Sequence, residues 1–161
     1  VRNWKEYSMG DLFSDIHKAE AHVKGEMVST DSKSQVSVPF VSRTEKDNAC
    51  DGFVVNNGIT GLEKGNAIIV GDTTSTLFYQ HDDFVAGDHI VVCRSKCVNP
   101  YTALFFKSVF DQDRYRYCYG RAIKMELLTT VSVRLPATSG GEPDWGAMEA
   151  YIKSLPYGDR I

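Results

Sequence analysis

No apolar run in these 161 residues approaches membrane length. The longest, at 67–71 and 103–106, are a fraction of the roughly 20 residues that a spanning helix needs. The opening Val1-Arg2-Asn3-Trp4-Lys5 has neither an initiator Met nor the apolar stretch of a signal peptide. It reads as a piece of a longer, cytoplasmic chain with no membrane partner. Cysteine is sparse, with four residues (Cys50, Cys93, Cys97 and Cys118), which gives no disulfide framework. Cys93 and Cys97 have a spacing that some zinc sites use, but no second tight pair and no His-x₃₋₅-His follows, so no metal is expected. Basic charge is not in excess either: the formal net charge is −3, which argues against indiscriminate polyanion binding. Gly58-Ile59-Thr60-Gly61-Leu62-Glu63-Lys64-Gly65 lacks the P-loop pattern, and no Gly-x-Ser-x-Gly elbow occurs. Asp82-Asp83 stands without a third carboxylate at ligand spacing and reads as a solvated pair. Neither a nuclease's clustered acids nor a methyltransferase's cofactor glycines appear, so a non-catalytic binding domain without a cofactor is expected.

What the sequence does have is a cationic stretch at 94–124. It holds Arg94, Lys96, Lys107, Arg114, Arg116, Arg121 and Lys124 against only Asp111 and Asp113, a local charge of +5. The rest of the chain therefore sums to −8. Tyr101, Phe105, Phe106, Phe110, Tyr115, Tyr117 and Tyr119 are interleaved with those cations. Cations that reach phosphates, with aromatic side chains between them, suit a nucleic-acid surface. The same composition also suits a solvated basic face over an aromatic core.

With 42% hydrophobic and 24% charged residues, the chain fills one core. The 4–13 segment predicts a strand end and a short helix, and 17–35 reads as polar loop, Ser29-Thr30-Asp31-Ser32 included. Strands are predicted at 36–41, 53–55, 66–71, 77–80, 89–93 and 130–136, with Pro39 marking an edge or bulge. Spacing near ten residues in the middle predicts a meander or barrel-like sheet. Asn99-Pro100 predicts a helix start, Asn as the N-cap and Pro as the first helical residue. Its body is expected through Phe110, with 111–120 as a loop. If that loop is extended, Arg114 and Arg116 project to one side and Tyr115, Tyr117 and Tyr119 to the other. Thr138-Ser139-Gly140-Gly141-Glu142 reads as a flexible linker. After Trp145, Met148, Tyr151, Ile152 and Leu155 recur at helical spacing until Pro156. The fold class expected is mixed α/β (α+β), with a twisted, largely antiparallel or barrel-like sheet and a few short helices.

Several blocks, in their order along the chain, resemble one family. Trp4 through Phe13 resembles the opening of a target recognition domain from restriction–modification specificity subunits. Val38-Pro39-Phe40-Val41-Ser42-Arg43-Thr44 and Asn56-Asn57-Gly58-Ile59 resemble its next block. Gly65-Asn66-Ala67-Ile68, Phe78-Tyr79-Gln80 and Asp83-Phe84 are similar to its central β block. Asn99, Leu104-Phe105-Phe106 and Tyr119-Gly120-Arg121 fit the helix and loop that follow. Val133-Arg134-Leu135-Pro136, Glu142-Pro143-Asp144-Trp145 and 148–155 match its close. The family includes type I specificity subunits and type II enzymes in which one recognition domain serves a partnered or fused methyltransferase–nuclease. Type I subunits usually continue into a long spacer helix and a second copy of the unit. The short helix and the end at Arg160-Ile161 favour the single-domain type II arrangement.

The resemblance implies a recognition domain over 1–138, followed by a linker and C-terminal helix over 139–161. It implies sequence-specific reading of double-stranded DNA, mainly through the major groove, on behalf of adenine methyltransferase and endonuclease subunits or fused domains. Lys and Arg side chains would position phosphates, and bidentate groups would read bases. The candidate DNA-contacting residues are Arg43, Thr44, Asn57, Tyr79, Arg94, Lys96, Lys107, Arg114, Arg116, Arg121 and Lys124. Among them Arg43, Asn57, Arg114 and Arg116 are candidates for base readout. Tyr79 and Tyr115 are candidates for groove packing or for filling space near a flipped base. A competing expectation is a protein–protein module that docks a partner helix on Met148, Tyr151, Ile152 and Leu155.

Overall fold

The computed structural model describes residues 3–31, 33, 34, 36–117 and 120–161. Cys118 and Tyr119 lie outside the described residues. Within them the chain runs β1 (Asn3–Ser8), α1 (Met9–Leu12), β2 (Asp15–Lys18), β3 (Ser29–Thr30), β4 (Ser37–Val41) and β5 (Cys50–Val55). It continues as β6 (Ala67–Gly71), β7 (Thr76–Gln80), β8 (Val85–Ala86), β9 (Ile90–Arg94) and α2 (Pro100–Asp113). It closes with α3 (Met125–Leu128), β10 (Ser132–Ala137) and α4 (Trp145–Ser154).

Three layers result. The central sheet has the order β2-β9-β6-β7, all antiparallel. Its strands read as unbroken apolar runs because both faces are covered. Ile68, Val70, Leu77, Val91 and Cys93 face the helices, packed with Phe106, Phe110, Leu135 and Met148. The alternate residues Ala67, Ile69, Ile90 and Val92 face the second sheet, against Val41, Phe84 and Ala86. That second sheet has the order β3-β5-β4-β8, antiparallel except for β4 with β8. On the helical side, β1 and β10 form a ribbon from Asn3↔Ala137 to Ser8↔Ser132.

The mixed α/β class with antiparallel sheets is as expected, and both four-stranded sheets stay open rather than closing into a barrel. Three local expectations are corrected. A meander would set β7 beside β9; β9 instead pairs with β6 and leaves β7 as an edge. The polar 17–35 segment is not all loop. His17 lies on β2, organised by its ladder with β9, and Ser29–Thr30 pairs with Val54 and Phe53. Residues 111–117 are not extended: α2 runs on to Asp113 and tightens into a 3₁₀ turn over Arg114–Tyr117. Period-two alternation therefore does not apply there, and Tyr117 stacks on Phe110 at 6.5 Å.

The caps behave as the sequence implies. The Asn99 side chain accepts hydrogen bonds from Tyr101 N (3.0 Å) and Thr102 N (2.9 Å). Thr102 Oγ1 accepts from Asn99 N at 2.9 Å, completing a reciprocal cap with Thr in the position often held by Glu. Pro39 sits where the β4–β5 register shifts, a bulge that a residue without an N–H tolerates. Asp144 caps α4 through Ala147 N at 2.9 Å. Met148 and Ile152 on that helix are buried in the chain's own core, which takes up half of the face expected to dock a partner helix, while Tyr151 and Leu155 stay exposed. Thr138–Glu142 forms a turn closed by Thr138 N to Glu142 O (2.8 Å), and Tyr7 Oη donates to Gly141 O at 2.9 Å. No helix among the described residues is long and apolar enough to cross a membrane.

Candidate nucleic-acid interface

Four segments meet around the β6–β7 turn. The turn itself, residues 72–75, is tight. A Cβ on Gly71 would come within 2.5 Å of Thr74 Oγ1, and Ser75 takes a left-handed φ of 52°. Buried Ser75 Oγ accepts from Ile123 N at 3.0 Å, which ties the 120–124 segment to the turn. Arg43, on the β4–β5 connection, donates to Thr73 Oγ1 at 3.3 Å. Arg114, at the end of α2, donates to both Glu45 oxygens (3.0 and 2.5 Å) and to Thr74 O (3.2 Å). An open cleft of about 710 Å³ between Thr73 and the Gly120–Lys124 segment adds Arg121 and Lys124 to the same surface.

The β4–β5 connection has an unusual backbone. Asp47, Asn48 and Ala49 all hold positive φ (49°, 55° and 64°) although none is glycine. The connection lies along β7, the edge of the central sheet, with Asn48 Nδ2 donating to Tyr79 O (2.6 Å) and Gln80 Nε2 donating to Asn48 O (2.8 Å). It thereby covers backbone groups that an edge strand would leave open.

Residues 42–49, 72–75 and 114–124 together carry six cations against three carboxylates, a balance of +3 in a chain of net −3. The Arg114–Glu45 pair sets the local electrostatics. Hydrogen bonding to Arg114 holds the Glu45 carboxyl below its ordinary value, and the same contact raises the guanidinium's. Arg116 is exposed beside the Tyr115 ring, 3.5 Å from an Asp113 oxygen. Tyr115 is itself 68% exposed. Lys107, further back on α2, lies 4.4 Å from the Phe78 ring centre and pairs with Asp111 at 2.7 Å.

The cationic stretch is split by the helix within it. Arg94 and Lys96 lie where β9 leaves for α2, beside Gly65 and away from the β6–β7 turn. The helix then carries the chain about 20 Å before Arg114. Arg94 is committed to a fixed fork, reaching Glu63 Oε2 (3.0 Å), Gly65 O (3.0 Å) and Lys64 O (2.6 Å). Glu63 also holds His17 Nε2 at 2.9 Å, while Asp15 holds His17 Nδ1 at 2.9 Å. Lys96 is exposed and has no ion pair among the described residues. Asn57 is exposed beyond the far end of β5 from Arg43. Tyr79 is half-buried, its Oη donating to Asn66 Oδ1 at 2.9 Å, and burial raises its phenol's pKa. Thr44 Oγ1 accepts from Lys46 N at 3.2 Å within the connection.

Arg43, Thr44, Arg114, Arg116, Arg121 and Lys124 are thus brought together with Lys107 nearby, whereas Asn57, Arg94 and Lys96 stand apart. Sequence reasoning missed Glu45, Asn48, Thr73 and Gln80. Only the turn-forming pair Asp47-Asn48 gave a local signal, because the other contacts join positions about 30 or more residues apart. Cys93 is fully buried, and burial pushes its thiol up to about 12. Among the described residues no group of three or more His, Cys, Asp or Glu is arranged to hold an ion.

Known proteins share this chain's sequence pattern and fold. The family described as "Type I restriction modification DNA specificity domain" matches residues 1–155. A curated relative from Heyndrickxia coagulans, "Type II restriction enzyme BgcI specificity subunit S.BcgI", is 25% identical over 157 residues. That match covers 95% of this chain and 43% of the relative. The fold is shared with the type I restriction-modification S subunit from M. genitalium, at TM-score 0.63, 13% identity and coverage of 94% and 38% of the two chains. It is also shared with the HsdS subunit from Thermoanaerobacter tengcongensis, at TM-score 0.56, 11% identity and coverage of 93% and 36%. The chain therefore spans about four-tenths of the length of these relatives. Matched over nearly its whole length, it belongs to the type I restriction–modification DNA specificity domain family, and is a specificity domain rather than a catalyst.

Proposed function

We propose that this domain reads the base sequence of duplex DNA for a cytoplasmic restriction–modification enzyme. Methylation and cleavage then fall to adenine methyltransferase and endonuclease subunits or fused domains. The observation that carries the reading is the convergence of Arg43, Arg114, Arg121 and Lys124 around the β6–β7 turn, from segments far apart in the chain. In this reading residues 1–138 form the recognition unit. Residues 139–161 form the linker and C-terminal helix, which buttresses the unit through Met148 and Ile152.

Arg121 and Lys124 meet phosphates and set orientation, while Arg43, Arg114 and Arg116 are placed to reach base edges. A bidentate Arg–guanine contact is worth roughly 1–3 kcal/mol of discrimination. Lys107 and Thr44 extend the same surface. Asn57, Arg94, Lys96 and Tyr79 belong to this proposal only as peripheral contacts, given where they lie. Tyr115, exposed beside Arg116, is the aromatic placed to pack in a groove.

The test is duplex binding across a salt series. Reversing Arg116, Arg121 and Lys124 to Glu should weaken binding. It should also make log K less steep against log salt, by about 0.9 for each phosphate that is no longer neutralised. Unchanged affinity and slope would remove the interface from this surface.

A further inference from the structure

Left-handed backbone is disfavoured for residues with a Cβ, and such residues adopt it singly rather than in runs. Asp47, Asn48 and Ala49 adopt it three in a row. Such a turn persists only where its surroundings over-determine it, and strain of this kind gathers at functional sites. Here the surroundings can be named. Ala49 is 1% exposed in the core between the two sheets, Ser42 N donates to Ala49 O at 2.9 Å, and Ala49 N donates to Lys46 O at 2.9 Å. Gln80, 5% exposed on the edge strand of the other sheet, holds Asn48 O, and Asn48 returns its own amide to Tyr79 O.

The connection from residue 42 to 49 has three side-chain ties to the central sheet and α2: Arg43 to Thr73, Glu45 to Arg114, and the Asn48–Gln80 clamp. The first two use cations that a DNA duplex would compete for. Once Arg43 and Arg114 turn to DNA, those ties are spent. The clamp uses only neutral amides and main-chain carbonyls, and Gln80 is sheltered from solvent. Of the three side-chain ties, it is the one that can hold the connection in the same place before and after binding.

We infer that Asn48 and Gln80 are positioning residues for sequence discrimination: by locking the left-handed turn they fix the register in which Arg43, Thr44 and Glu45 face the duplex. The inference rests on the DNA-reading role proposed above. It separates two quantities that a merely structural role would move together. Losing the clamp lets the connection shift along β7, which spoils alignment with base edges. The number of cations near phosphates stays the same.

Two variants test it. Asn48→Gly removes the side-chain half of the clamp and relieves φ, so folding is retained. Gln80→Met keeps the volume and removes the donor. A randomised duplex library first defines the motif enriched by the wild-type protein; affinities for that motif and for random duplex are then measured for all three proteins. The expected result is a fall of about tenfold in the ratio of motif to random affinity, the discrimination carried by about one base contact. Random-duplex affinity and its salt slope should stay within twofold. Folded variants that keep the wild-type ratio would overturn the clamp and leave the DNA-reading role standing. Equal losses on motif and random duplex would also overturn it, because the pair would then only support the fold. A wild-type protein that enriches no motif would overturn both.

Discussion

Neutralising Glu45 should separate stability from DNA binding. In the free protein its carboxylate takes a two-pronged contact from Arg114, but the two side chains are 59% and 32% exposed. Solvent screening at that exposure limits the pair to about 0.5–1 kcal/mol of stability. For a domain of this size that corresponds to a fall of roughly 1–4 °C in Tm for Glu45→Gln. Arg114 holds the Glu45 carboxyl below its ordinary value, so the pair's contribution is intact above the usual carboxylate range. It is lost as pH falls through the lowered value. At neutral pH the free protein is therefore slightly stabilised by Glu45.

Bound DNA reverses the sign. An anion about 7 Å from a phosphate in water costs roughly 0.6 kcal/mol, or about threefold in affinity. Glu45→Gln should thus tighten duplex binding about threefold at low salt and release Arg114 for a further contact. Arg114→Met should weaken binding, and the double variant should bind about threefold more tightly than Arg114→Met, because the repulsion between carboxylate and phosphate is removed there too. Anisotropy titrations of labelled duplex between 50 and 200 mM salt, alongside thermal melts, read both effects. A Glu45→Gln protein that binds more weakly than wild type while still folded would refute the reasoning, since the carboxylate would then be a reader in its own right.

Two further outcomes test the scaffold. Met148→Ala, at a fully buried position of α4, should cost about 2–5 kcal/mol in chemical denaturation; a loss below about 1 kcal/mol would mean that the helix is not part of the core. His17 tests the Arg94 network. Burial alone would lower its pKa, but hydrogen bonds to Glu63 and Asp15 outweigh this and raise it. The stabilisation is therefore complete below about pH 6.5 and lost as pH rises through the raised value. His17→Gln should flatten the fall in Tm across that window, and an unchanged pH profile would show that the contacts do not form in solution.

Some of this was legible in the sequence for identifiable reasons. Asn99-Pro100 carries its own instruction, because cap and first-turn chemistry are local, and the apolar run at 67–71 fits a strand buried on both faces. What escaped was pairing. Asp15–Lys18 has one apolar residue in four and becomes a strand through β9, some 75 residues later. The alternating Arg and Tyr at 114–117 resembles a strand, yet the preceding helix simply continues into a tighter turn. At the candidate interface the cations were visible as composition. Their grouping was not, because α2 carries Arg94 and Lys96 away from Arg114. Glu45 and Gln80 gave no sign, since each gains its role from a partner in another layer.

The β1–β10 ribbon bears on how the protein is made. Asn3 pairs with Ala137, and Tyr7 reaches Gly141, a partner 134 positions later. At about 5–20 residues per second, a ribosome needs roughly 7–27 s to supply the partner strand. During that interval β1 has no native ladder, and Met9 and Leu12 of α1 lack the β10 side of their core. Strand β1 is thus synthesised long before it is secured, and a chain stalled before residue 132 would present an open strand edge to chaperones and proteases.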